Sequence, residues 1–268
     1  MRIPMTSRQR ALRRLPAMRH RACVVCLISC TGGEAGEMIA TDGSDGSDND
    51  LATVRAAELR EAAHILGYES THLLSYRDSG MSGDAPDGFA SVDLRLVVAS
   101  LIAVFRRQQP DVIVSYDAHY AARHPDHQRC CEATTVAFDA LAHDQRRPSK
   151  LYGCRTHSSS RLRPMHDWLI AAGRASPYAD ALRAADASVD ETTTRVEISP
   201  HMASARRALL AHRSQVAVDD PWFFSVPLDA MRAIYPYEDY VLMRSYQPID
   251  VGSDGYEHDL LAGVDYAS

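Results

Sequence analysis

The feature that most limits the fold is a regular alternation of short apolar runs with longer amphipathic ones. Residues 111–115 (Asp-Val-Ile-Val-Ser) are the sharpest run, set between Pro110 and a polar segment. A strand with so apolar a centre is buried on both faces, the habit of parallel sheets. Upstream, residues 22–29 read as a buried strand entering a turn at Gly32 and Gly33. After a polar Gly/Ser/Asp loop at residues 43–49, Asp50 can cap a helix over residues 51–66 that Gly67 stops. Residues 71–75 read as a short strand. Residues 91–107 form a second helix, with Leu94, Val97, Val98, Leu101 and Phe105 on one face and Pro110 marking its end. This βαβα order predicts an α/β fold: a Rossmann-like, mostly parallel sheet with helices on both faces.

The C-terminal half is less regular. Helical spacing recurs near residues 201–212 and 228–234, and strand-like runs at 193–198 and 240–243. Without an internal repeat or a linker, the chain reads as a lead (1–22) followed by a single domain (23–268). Residues 150–268 form its C-terminal elaboration.

Charge separates the lead from the rest. Lys+Arg number 29 against Asp+Glu 35, for a net charge of -6. The first 33 residues hold seven arginines and no acid, which leaves 22 bases against 35 acids, or -13, for the remainder. An acidic body argues against nucleic acid as a partner, because neutralising phosphates needs a basic face. Lys150 is the only lysine, a bias read as that of a GC-rich coding sequence. The basic lead before the short apolar run at residues 22–30 imitates a secretion signal poorly, since cysteines interrupt the run and a strand-like turn follows. No apolar run approaches the roughly 20 residues of a spanning helix. The expectation is a cytoplasmic chain with no membrane partner, whose six cysteines, Cys23, Cys26, Cys30, Cys130, Cys131 and Cys154, stay reduced.

In a doubly wound sheet, chemistry collects beyond the carboxyl ends of the strands. That rule selects the segments after Ser29, around Asp78 and after Ser115. The third holds Tyr116-Asp117 and then His124-Pro125-Asp126-His127. Pro125 suits the first turn of a helix running to about residue 142, so His124 stands at its mouth and His127 within its first turn. Two imidazoles and a carboxylate there can serve a metal or an oxyanion. They can equally be a cap and a partner for the helix dipole. Spacing alone leaves both open.

Tyr116-Asp117 followed by His124-Pro125-Asp126-His127 resembles the second signature of the PIG-L/LmbE-like family of zinc-dependent de-N-acetylases and amidases. Thr31-Gly32-Gly33-Glu34-Ala35-Gly36-Glu37, residues 55–67 and Arg77-Asp78-Ser79-Gly80-Met81 agree with that family. Thr193-Thr194-Arg195-Val196-Glu197, Ala211-His212-Arg213-Ser214-Gln215 and Tyr235-Pro236-Tyr237-Glu238-Asp239-Tyr240 are similar to its mycothiol S-conjugate amidase branch. The resemblance implies an LmbE-like fold and one zinc ion with His127 as a ligand. It gives His124 the role of polarising the amide carbonyl, with Asp126 orienting it, and matches Arg55 and Asp78 to positions that grip amino-sugar hydroxyls. The implied activity is hydrolysis of an amide on a small-molecule amino-sugar or thiol conjugate, releasing an N-acetylcysteine S-conjugate. The alternatives are an amino-sugar N-deacetylase of antibiotic biosynthesis and a catalytically dead sugar-binding paralogue.

One motif departs. The family opens with His-Pro-Asp-Asp-Glu after its first strand, the source of two zinc ligands and the general base, and the arginine-rich lead stands in its place. The glycines and tyrosine usual before His124 are replaced by Tyr120, Ala121, Ala122 and Arg123. Three explanations follow, in this order: a wrongly assigned start or reading frame, a degenerate paralogue, or substitute ligands drawn from His20, Cys23, Cys26 or His119. The first expects the motif in an upstream or alternative frame of the gene.

Overall fold

A computed structural model describes residues 23–36, 48–118, 124–186 and 189–264. Strand β1 (Cys26–Thr31) pairs in parallel with β2 (Ser70–Tyr76), in register from Cys26 opposite Ser70. Helix α1 (Asp48–Leu66) joins them and ends where Gly67 takes the left-handed conformation at φ 69. It starts three residues before the expected boundary, so Asp50, the expected cap, lies inside the helix. Helix α2 (Leu94–Gln108) is capped by the Asp93 side chain, which accepts from the Arg95 backbone N–H. Then come β3 (Val112–Tyr116) and α3 (Pro125–Ala140). The expected loop at residues 43–49 falls mostly outside the described residues, as do the lead (1–22) and residues 119–123.

Sequence periodicity missed the next three elements: β4 (Lys150–Arg155), α4 (Ser159–Ala171) and α5 (Ala179–Asp186). All six residues of β4 are buried. Lys150, Gly153 and Arg155 hid the strand, because they look like loop residues until their partners are known. Lys150 is fully buried against Glu257 Oε1 at 2.5 Å, and Tyr152 and Thr194 also donate to that carboxylate. Gly153 is glycine for contact: a Cβ there would meet Asp117 Cα at 2.7 Å. The chain closes with β5 (Thr194–Glu197), α6 (Met202–Leu210), a single turn at Pro221–Phe224, α7 (Leu228–Ile234) and β6 (Tyr237–Ser245).

The second sheet has the order β3-β4-β6-β5. β3 and β4 are parallel, with Tyr116 opposite Cys154, while β6 runs antiparallel to both β4 and β5. Parallel pairing therefore belongs to the first four strands, and the C-terminal strands add an antiparallel margin. Side chains alternate across β3 and β4 as a two-faced sheet requires. Ile113 and Leu151 join Val97, Leu101, Ala137 and Phe138 of α2 and α3 on one face. Tyr116, Tyr152 and Cys154 join Leu162, Met165, Met202 and Met231 on the other. Ile28, Cys30, Leu74 and Tyr76 pack against the first cluster, so both sheets share it. Among the described residues no helix is long and apolar enough to cross a membrane.

Candidate active site

The loops after β1, β2 and β3 meet at the amino end of α3. His124 is the N-cap, extended at φ -149 and ψ 132, with Pro125 beginning the helix. Its Nδ1 accepts the Asp126 backbone N–H at 3.1 Å. A neutral imidazole whose Nδ1 is an acceptor carries its proton on Nε2. The cap thus fixes a tautomer with one N–H left to donate. The His127 ring lies 4.9 Å from that of His124 and stacks on Tyr116 at 4.1 Å, and all three side chains are buried.

The Asp126 carboxylate is tied to the loop after β2. Oδ2 accepts the Ser79 backbone N–H at 3.2 Å, while Oδ1 is buried without a partner. Burial is the largest influence and pushes its pKa above the ordinary carboxylate value, against the Ser79 hydrogen bonds and the nearby His124. The orientation of His124 expected from Asp126 thus comes through the backbone N–H rather than the carboxylate.

Glycines let the loop after β2 close onto α3. A Cβ on Gly83, at φ 71, would stand 2.7 Å from Pro125 Cγ, and one on Gly88 would stand 2.8 Å from Ser79 Cα. Ser79 Oγ accepts from Ala90 N–H at 2.8 Å. Asp78 Oδ1 caps Gly80 N–H, and its own N–H donates to Glu34 Oε1, both at 2.8 Å. Behind them, Arg55 on α1 is 5% exposed and faces Asp78, Glu58 and Glu34. Burial pulls its pKa down and those carboxylates oppose the pull. The loop after β1 covers it so closely that a Cβ on Gly36 would lie 2.5 Å from Nη1. Arg55, Asp78, His124, Asp126 and His127 are therefore brought together, with Arg55 inside the wall. Glu34, and Ser79 through its backbone N–H, escaped sequence reasoning as connectors. A motif read in side chains has no mark for a main-chain donor.

Zinc is what the resemblance implies, and the described residues do not fit it. Among them no group of three or more His, Cys, Asp and Glu side chains could hold a metal ion, where a catalytic zinc takes three protein ligands. Cys23 and Cys26 are poor substitutes because they sit at the amino end of β1. At about 3.3 Å per residue, Cys26 is roughly 16 Å from Thr31 at the site edge. Its thiol is engaged there with Gln108 Oε1 at 3.3 Å. His20 and His119 lie outside the described residues.

The profile of the PIG-L family, described as GlcNAc-PI de-N-acetylase, matches residues 10–138. Mycothiol S-conjugate amidase of Streptomyces coelicolor is 30% identical over 261 residues, covering 90% of this chain and 87% of its own length. The 1D-myo-inositol 2-acetamido-2-deoxy-alpha-D-glucopyranoside deacetylase of Geodermatophilus obscurus is 33% identical over 264 residues, covering 90% and 88%. Among solved structures, N,N'-diacetylchitobiose deacetylase of Pyrococcus horikoshii superimposes with a TM-score of 0.57 at 17% identity, over 88% of this chain and 77% of that one. A 4-carboxy-2-hydroxymuconate hydratase of Pseudomonas putida superimposes at 0.56 and 15% identity, over 91% and 92%. Those likenesses concern the fold, which hosts more than one chemistry. Identity of 30% across 90% of the chain, together with the matched profile, shows that this protein belongs to the PIG-L family.

Proposed function

We propose that the protein hydrolyses an amide on an amino-sugar, acting as a mycothiol S-conjugate amidase that releases an N-acetylcysteine S-conjugate. The observation that carries this reading is the N-cap contact of His124, whose Nδ1 accepts the Asp126 backbone N–H and so leaves Nε2 as the donor beside His127. A donor held in place before the reaction is what a developing amide oxyanion needs, since no reorganisation is then required. His124 polarises the carbonyl and stabilises the tetrahedral oxygen, and Asp126 holds the His124 ring through its backbone N–H. Asp78, fixed by Glu34 and its Gly80 cap, orients sugar hydroxyls, with Arg55 setting the charge of the wall behind it. Zinc is the cofactor the family would bring, with His127 as a ligand. The described donors do not complete its shell.

The test is amine release from an S-conjugate and from an acetamido-sugar, side by side and with added zinc. Cleavage of the conjugate, lost in His127→Ala, supports the amidase; cleavage of the acetamido-sugar alone favours an N-deacetylase. Unchanged turnover and metal content in His127→Ala would overturn the role given to that residue. A second reading, a sugar-binding protein without hydrolysis, is favoured by the incomplete donor set among the described residues. Stoichiometric zinc in the purified protein contradicts it.

A further inference from the structure

A separate cavity opens in the C-terminal half, between α4, α6 and α7. It encloses about 80 Å³ and is walled by Leu162, Met165, Met202, Leu209, Trp222 and Met231, with Thr156 and Glu238 among the polar lining. At about 10–15 Å³ per water-sized occupant, such a space takes roughly five to eight heavy atoms, the size of one six-membered ring. Three thioethers make the wall adaptable in shape, and the indole adds an aromatic face.

Its position ties it to the histidines. Thr156 follows β4 directly, and Glu238 adjoins Asp239, the partner of Arg155. Both therefore stand at the sheet edge where β3 ends in Tyr116, one and two strands across, at about 4.8 Å per strand. Tyr116 links the two through the core that packs behind the cavity wall. Its ring stacks on His127 at 4.1 Å, and it packs in the same buried cluster as Leu162, Met165, Met202 and Met231.

We infer that this cavity receives the apolar S-substituent of the conjugate, an aryl or branched alkyl group carried on the cysteine sulfur. The inference rests on the amidase reading and deepens it. In such a conjugate the scissile carbonyl is separated from an S-benzyl ring by the Cα, Cβ, sulfur and benzylic carbon atoms. With bonds of about 1.5 Å, that tether spans a distance comparable with the separation of neighbouring strands. A ring would enter past Thr156 while the carbonyl stays before His124.

The experiment uses two probes on the whole protein: S-benzyl-N-acetylcysteine and N-acetylcysteine without a ring. Binding is read by calorimetry and by fluorescence, since Trp222 lines the cavity. Burial of a ring predicts that the benzyl probe binds about tenfold tighter or better. That preference should be lost in Met231→Phe and Met165→Phe, two independent ways of filling the space, each checked for folding by circular dichroism. Equal affinity for both probes, or a ring preference unchanged in both folded variants, overturns the inference. A ring-selective protein that cleaves no amide supports the cavity assignment and refutes the amidase reading. A protein that cleaves S-methyl and S-benzyl conjugates with the same kcat/KM does the reverse.

Discussion

Replacing Lys150 by methionine should cost more than any surface substitution, and the structure says why. Both Lys150 and Glu257 are fully buried, 2.5 Å apart, and Glu257 Oε2 also accepts from Tyr152 and Thr194. Burial first, and then Glu257, push the Tyr152 hydroxyl pKa up, so it remains a donor at every working pH. Lys150→Met removes the only cation touching this carboxylate among the described contacts. Breaking a buried pair from one side costs about 3–5 kcal/mol, because a charge is left without its partner. At about 2–4 °C per kcal/mol for a chain near this size, Tm should fall by roughly 6–20 °C. Lys150→Arg should not rescue it, since a larger guanidinium must enter a packed strand at about 1–3 kcal/mol of strain. Urea denaturation and calorimetry of Lys150→Met, Glu257→Gln and the double variant measure the coupling. A cost below about 1 kcal/mol for Lys150→Met, or additive costs in the double variant, would refute a coupled buried pair.

Three further outcomes concern the site. His124→Ala should lower kcat by about 10²–10³-fold through the lost oxyanion donor, with about 0.5–2 kcal/mol of stability lost through the cap; steady-state kinetics and a thermal melt separate the two. Asp126→Asn should raise stability near pH 7 while lowering activity. The native carboxyl has a pKa above its unfolded value, so its contribution is fully present below the unfolded pKa, about 3.9. That contribution is lost as pH rises through the folded pKa. Melting curves from pH 3 to 8 should flatten in the variant on this account, and an unchanged pH dependence would count against it. Gly83→Ala places a methyl 2.7 Å from Pro125 Cγ at a backbone φ of 71. It should destabilise by about 1–3 kcal/mol, with a raised KM from a displaced loop.

The parts of the fold that were legible in the sequence are those whose pattern is local. β3 and α3 were readable because an apolar run, a proline and a histidine cap stand within a few residues of one another. α1 and α2 were readable from spacing, to within two or three residues at their ends. β4 was not, because its first residue is a lysine whose partner lies 107 positions later, and no periodic pattern carries that distance. The same rule divides the site. His124, Asp126 and His127 were selected as candidates by spacing and resemblance, but the main-chain donor Ser79 N–H, which donates to the Asp126 carboxylate, was not. The enclosure of Arg55 depends on Gly33 and Gly36 lacking side chains, a contact visible only once β1 and α1 are packed.

The strand order places the proposed reaction and its proposed selectivity on different strands. The strands whose carboxyl ends carry the proposed reacting groups, β1 to β3, are local and parallel, and their loops converge by the rule that governs all such sheets. The strands that frame the cavity, β4 and β6, are joined antiparallel across a long stretch of chain and stabilised by the Lys150–Glu257 pair. Tyr116 belongs to both sets, through its stack on His127 and its place in the C-terminal core. Among the described residues, Tyr116 and the edge it shares with β4 give a change in the cavity wall a route to the histidines. Tyr116→Leu, which keeps the apolar contact and removes the stack, should alter turnover of every conjugate alike. Met231→Phe should alter only those with a bulky substituent. If the two variants change selectivity in the same way, cavity and catalytic edge are one site, and the separation argued from the strand order fails.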